Sequence, residues 1–167
     1  MLFYRKAILC CFLTLSLILA GFLPANSKKL TESKIYTNTE FKFSLNYPGN
    51  WYFTDDSLPE QINILLSKEE LNVVKKNPAM LVIIGLKGKK GKEFVKSYED
   101  EFDKKNIEPK SFKINKEITA DKYFLGERVY YVLFSYNDQY YITIYSADKK
   151  QNFNEVEAII KTITIKK

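Results

Sequence analysis

Histidine is absent from the 167-residue chain, and cysteine occurs only as the adjacent pair Cys10 and Cys11. Arginine is confined to Arg5 and Arg128, so almost all of the positive charge is lysine. Each scarcity removes a class of chemistry. No imidazole is available as a general base, proton shuttle or metal ligand. If the N-terminal segment is removed, no thiol remains for a disulfide, a nucleophile or a thiolate metal site. Lysine is a hydrated point charge without the planar fork that reads base edges, so no nucleic-acid partner is expected. No cofactor and no metal site are expected either. With Arg5 and Lys6 set aside, 24 basic residues face 20 acidic ones, a mild excess of +4.

What the chain does have is apolar and aromatic material, 46% and 15% of its residues, enough for a core without covalent staples. Its N-terminus is patterned for export. Arg5 and Lys6 precede an uncharged apolar run from Ala7 to Leu23, which Pro24 ends before the small residues of Ala25-Asn26-Ser27. That order is a secretory signal, and it predicts cleavage near Ser27 and a secreted or extracytoplasmic protein. The alternative is an uncleaved N-terminal membrane anchor, for which the apolar run is slightly short. Leu19-Ala20-Gly21 resembles a lipobox, but Phe22 occupies the place of the lipidated cysteine, so no lipid anchor is expected. The predicted organisation is a signal peptide over 1–27, a flexible lead-in over 28–34 and one domain over 35–167.

Phe41, Phe43, Leu45 and Tyr47 alternate with polar residues, the period of a strand with one buried face. Pro48-Gly49 predicts a turn, Trp51-Tyr52-Phe53 an aromatic strand, and Gln61 to Leu66 another strand. Ser67 with Glu70 fits a capping box opening a short helix that Asn77-Pro78 stops. Met80 to Leu86 is nearly continuously apolar, as a central strand buried on both faces would be. Lys87 to Lys92 reads as a glycine–lysine loop. Phe94, Tyr98 and Phe102 recur at helical spacing. Phe112, Ile114 and Ile118 predict one further strand. Glu127–Tyr136 and Gln139–Ser146 form a hairpin around Asn137-Asp138. Phe153, Val156 and Ile160 mark a C-terminal helix, and Ile163 and Ile165 a last short strand. The fold class is α+β, a mainly antiparallel sheet flanked by helices.

The run Phe41-Lys42-Phe43-Ser44-Leu45-Asn46-Tyr47-Pro48-Gly49-Asn50-Trp51 resembles the entry signature of PsbP-like domains, and the final hairpin, helix and strand over 127–165 are similar to that family's ending. The family includes the extrinsic P subunit of photosystem II and many exported bacterial proteins. The resemblance implies an α-β-α sandwich and a non-enzymatic binding or accessory role. It carries no functional residue onto this chain, because the matching positions are turn and core residues. It gives no reason to expect a photosynthetic function.

Two surfaces are candidates for binding. Tyr141, Thr143 and Tyr145 share one face of their strand, with Tyr130 and Tyr136 on the neighbouring strand. An open tyrosine face would suit an envelope or extracellular protein, unless a helix covers it. Lys87, Lys89, Lys90 and Lys92 would suit an anionic cell-wall polymer or a membrane surface, unless they are simply solvated. The glycines around them, Gly85, Gly88 and Gly91, lack the ending of a phosphate-binding loop. Glu99, Asp100, Glu101 and Asp103 would fan around a helix and not converge on a cation. Asp55 and Asp56 are candidates for a cleft near Trp51. The expected function is a non-enzymatic binding or accessory module at the cell envelope with a protein partner. Electrostatic polymer binding is the alternative, and a carboxylate-based hydrolase comes third.

Overall fold

The alternation of apolar and polar residues is realised as strands that bury one side chain in two. In β3 (Phe43–Tyr47) Phe43, Leu45 and Tyr47 are buried, while Asn46 is exposed. The computed structural model describes residues 28–29, 33–70, 79–126, 128–146 and 150–166. The leader and most of the helix predicted after Ser67 lie outside the described residues. Ser67 itself ends a strand, its hydroxyl donating to the Glu69 carbonyl at 2.8 Å.

The larger sheet has the order β1-β4-β5-β6-β10-β9-β8-β7, every neighbouring pair antiparallel. Its strands are β1 (Lys28–Lys29), β4 (Tyr52–Asp55), β5 (Gln61–Ser67), β6 (Met80–Lys87), β7 (Lys110–Lys113), β8 (Thr119–Leu125), β9 (Val129–Tyr136) and β10 (Gln139–Ser146). β1 is a two-residue addition at one edge, where Lys28 and Lys29 pair with Phe53 and Tyr52. The apolar β6 takes the interior place its composition predicts, between β5 and β10. A second antiparallel sheet stacks β11 (Thr164–Ile165), β3 and β2 (Lys34–Asn38). Asn137 and Asp138 turn β9 into β10 with φ of 50° and 58°, the left-handed pair such a hairpin needs.

Two helices complete the layers. α1 (Gly88–Lys104) lies on one face of the large sheet, where Val95 and Phe102 meet Tyr123, Tyr131, Leu133 and Ile142. On the opposite face the small sheet and α2 (Lys150–Ile160) pack together over the larger core. Val156, Ile159, Ile160 and Ile163 are buried there at helical spacing.

Two local expectations are corrected. The glycine–lysine run from Lys87 is not a loop, because β6 passes directly into α1. Gly88 takes a φ of 58° at the junction, and Gly91 lets the helix lie against the strand's last turn. The glycines that read as loop markers serve close packing. Nor do Phe112 and Ile118 share one strand. The Asn115 side chain accepts the N–H groups of Glu117 and Ile118 at 2.8 and 2.9 Å and folds this stretch into a turn between β7 and β8.

Replacing Gly91 by alanine sets two effects against each other. Helix propensity favours alanine by about 1 kcal/mol. A Cβ there would lie 2.5 Å from the Leu86 carbonyl oxygen, which is backbone and cannot swing aside. Overpacking of that kind costs roughly 1–3 kcal/mol. Gly91→Ala should therefore lower stability in urea denaturation, and a variant as stable as the parent would refute the close approach.

Candidate functional site

The N-terminal end of α1 concentrates the lysines. Lys87 is its N-cap residue, and its side chain is already engaged. Its ammonium donates to the Glu40 carbonyl at 3.1 Å and to Glu40 Oε1 at 3.2 Å, and lies 4.5 Å from the centre of the Phe41 ring. Glu40 also accepts the Glu60 N–H at 3.0 Å; that bond first, and Lys87 second, hold its carboxyl below the usual range. Lys89 approaches Glu93 at 3.7 Å with both side chains largely in solvent. Lys89, Lys90 and Lys92 thus stand in the opening turns of the helix, where the first backbone N–H groups have no helical acceptor. No acidic residue occupies the first turn, and among the described residues no side chain caps it. Cations at a helix N-terminus run against the macrodipole, so this end presents positive charge and positive dipole together. A cleft of about 610 Å³ opens beside it, bordered by Glu40, Glu60, Gln61, Lys87, Lys90 and Asp138.

The tyrosine face lies inside the protein. Tyr130, Tyr141, Thr143 and Tyr145 are each at most 1% exposed, covered by the small sheet and α2. The Tyr141 ring stacks between Phe43 and Phe134, with centroids 5.5 and 4.9 Å away. Phe153 of α2 stacks on Tyr130 and meets Tyr145 edge-on. Only Tyr136 reaches the surface, where its hydroxyl donates to Glu117 Oε2 at 2.7 Å. The structure therefore corrects the expectation of an open tyrosine surface. The residues do share one face, and that face is interior.

The acidic residues disperse as their helical spacing requires. Asp100 pairs with Lys96 at 3.0 Å and Glu101 with Lys104 at 2.8 Å. Glu99 turns toward a shallow groove of about 270 Å³ that also holds Lys92, Asp121 and Ser135. Burial, with Asp121 nearby, raises its carboxyl above the ordinary range. Among the described residues no three potential metal ligands converge. Asp55 accepts the Ser57 N–H at 3.0 Å in a surface turn, while Trp51 is fully buried and donates to Glu155 at 2.9 Å. Asp55 and Asp56 do not line either of the two clefts described here.

Neither a family model nor a curated protein sequence matches the chain. Two solved structures share its architecture. A crystal structure from Bacteroides thetaiotaomicron aligns with a TM-score of 0.57 at 18% identity, over 81% of this chain. This chain spans about half of that one, 49% of its length. The solution structure of cyanobacterial PsbP from Synechocystis aligns with a TM-score of 0.50 at 10% identity, over 86% of this chain and 99% of the other. The fold is PsbP-like. At these identities the likeness is one of architecture, and no PsbP-like site residue is transferred by it.

One part of the PsbP-like framework was not apparent from local sequence. Lys122 of β8 pairs with Glu157 of α2 at 3.0 Å, with only 15% of its side chain exposed. Its ammonium lies 5.1 Å from the rings of Phe112 and Phe124 and 5.5 Å from that of Tyr130. The signal was a lysine at an inward position of the alternation Ala120, Lys122, Phe124, visible only once β8 is recognised as a strand.

The buried phenols give two tests. The Tyr130 hydroxyl is buried without a hydrogen-bond partner among the described residues, whereas Tyr141 donates to Gln139 Oε1 at 2.6 Å. A buried unpaired hydroxyl costs stability and a paired one contributes about 1 kcal/mol. Tyr130→Phe should be neutral or stabilising and Tyr141→Phe destabilising in thermal unfolding; the reverse order would contradict this packing. Burial first, then Asp121, pushes Tyr123 up to about 12, from an ordinary value of 10.0. Burial raises Tyr130 and Tyr141 too. A folded pKa above the unfolded one means that the contribution is intact below pH 10.0 and is lost as pH rises through about 12. Tyrosinate absorbance should therefore appear late and together with unfolding; early titration of most tyrosines with the fold intact would show the phenols to be open.

Proposed function

We propose that this protein is an exported, non-catalytic binding module of the bacterial cell envelope, and that it attaches to anionic envelope polymer through Lys89, Lys90 and Lys92. The observation that carries the reading is the crowding of these lysines onto a helix N-terminus that has no side-chain cap among the described residues and no carboxylate in its first turn. Several exposed ammoniums gathered at the positive end of a helix raise the local concentration of a polyanion. The resemblance to PsbP-like domains supports an accessory role, and the export pattern of residues 1–27 supports the compartment. The source of the anion, wall polymer or lipid headgroup, is separated by the choice of surface offered.

A protein partner is the second reading, favoured by large apolar side chains left in solvent, Ile35 at 70%, Leu58 at 64% and Phe124 at 42% exposure. A carboxylate-based hydrolase is the weakest. Asp55 and Asp56 serve a surface turn, with the Asp55 side chain and the Asp56 N–H both engaged there.

The test is binding of the purified protein to washed cell wall and to anionic vesicles across a salt series. Exposed charges are screened over about 10 Å at 0.1 M salt, so the bound protein should be released as salt rises. Lys89→Ala, Lys90→Ala and Lys92→Ala combined should abolish binding, with Lys87 left in place because it is tied to Glu40. Attachment that survives high salt would instead promote the protein-partner reading, and no attachment at any salt would sink the envelope-polymer proposal.

A further inference from the structure

The eight-stranded sheet ends on β7, which among the described residues has a partner strand on one side only. A strand in that position presents unpaired backbone N–H and C=O groups, a template for one more strand. What surrounds β7 decides which strand fits. On the face shared with α2, Lys110 stands opposite Lys122, and both ammoniums lie against the Phe124 ring, at 5.5 and 5.1 Å. Lys161, just beyond α2, lies 5.5 Å from the neighbouring Phe112 ring. On the other face the alternation places Lys113. Among the described residues, Glu157 is the one carboxylate paired within this group, and it is taken by Lys122. Lys110, Lys113 and Lys161 have no ion-pair partner among the described residues. Phe124 remains 42% exposed beside the ammoniums of Lys110 and Lys122.

We infer that β7 is a docking edge for an acidic, extended segment of a partner protein, added to the sheet as a further strand. Three features select that occupant. Only a peptide backbone can complete the hydrogen-bond ladder of a sheet edge in register. Lysines on an edge strand repel a second copy, whose own β7 carries the same charge, and Lys110 on one face and Lys113 on the other complement aspartate or glutamate on both faces of the added strand. The half-exposed Phe124 offers an apolar contact to a side chain on the same face of the added strand as the acid that meets Lys110, a contact that a polyphosphate or sugar–phosphate chain does not use. This surface is distinct from the lysines of α1. Phe124, Lys110 and Lys122 lie on the α2 side of the sheet, and α1 covers the opposite side. The inference gives the protein-partner reading a location and does not depend on the polymer reading.

The probe is a dye-labelled peptide repeating Glu-Glu-Val-Val, which as a strand carries acid and valine on both faces, titrated against the purified protein and followed by fluorescence anisotropy. A lysine–valine peptide and inorganic polyphosphate serve as comparisons. The acidic peptide should bind and the basic one should not. Lys110→Glu with Lys113→Glu should weaken it at least about tenfold, the factor that corresponds to 1.4 kcal/mol. Phe124→Ser should weaken it severalfold, and Lys89→Ala with Lys90→Ala and Lys92→Ala should leave it unchanged. Hydrogen exchange of the bound protein should slow at the amides of 110–113. The inference is overturned if the acidic peptide does not bind, or if the α1 lysines rather than Lys110 and Lys113 control it. Binding with no added protection along β7 also overturns it, because simple attraction of a polyanion would give that result. Should polyphosphate displace the peptide from a site that Phe124→Ser leaves unaltered, the edge is a polymer contact and the inference fails.

Discussion

Tyr141 holds the two sheets in register. Its ring lies flat across the β6–β10 pair over Gly85, where an added Cβ would sit 2.6 Å from the ring. On either side it is stacked by Phe43 of the small sheet and Phe134 of the large one, and Phe41 meets it edge-on. The same ring therefore fixes strand-to-strand fit within one sheet and layer-to-layer fit between the two. Because β10 alternates, placing Tyr141, Thr143 and Tyr145 on this side commits Ile142 and Ile144 to the α1 side. A one-residue slip of β10 would bring five side chains to the wrong layer at once. The rest of the architecture follows from this two-sided burial, including the need for a helix on each side.

Polar links then set where α2 sits. Glu155 accepts the Trp51 indole and pairs with Lys68, while Glu157 pairs with Lys122. In half-buried ion pairs such as these, desolvation offsets much of the attraction, so the contacts matter less as energy than as position. The Trp51 indole is the sharper constraint, because a fully buried N–H without an acceptor would be costly. Glu155 and Glu157 reach opposite flanks of the helix, one toward Trp51 and the other toward β8. Their net effect is to fix both the rotation and the tilt of α2 over Tyr130 and Tyr145.

Much of the architecture was legible in the sequence because it depends on period. The alternation from Phe41 to Tyr47, the apolar run of β6, the Asn137-Asp138 hairpin and the spacing of α2 each express one local rule. What was not legible depends on contacts distant along the chain. Glycine at 88 and 91 looks like a loop until β6 is seen against α1, because the same residue serves a turn and a close approach alike. Lys122 breaks the apolar alternation of β8, which concealed that strand, and only Glu157 and three aromatic rings explain a lysine at an inward position. The tyrosine face was correctly grouped by period two, but period alone does not say what covers a face. The lysines of α1 stayed at the surface, as their charge requires, on a helix that glycine had disguised.

The small sheet has a consequence for the order in which the chain can fold. Its strand β3 is completed by Thr164, whose hydroxyl meets that of Ser44 from 120 residues further along the sequence. Pairings so remote carry a large loop-closure cost and form late. A chain emerging end-first would hold the apolar side of β2 and β3 unclosed until its last strand arrived. Such a delay leaves the small sheet unfinished for as long as Thr164 and Ile165 are withheld.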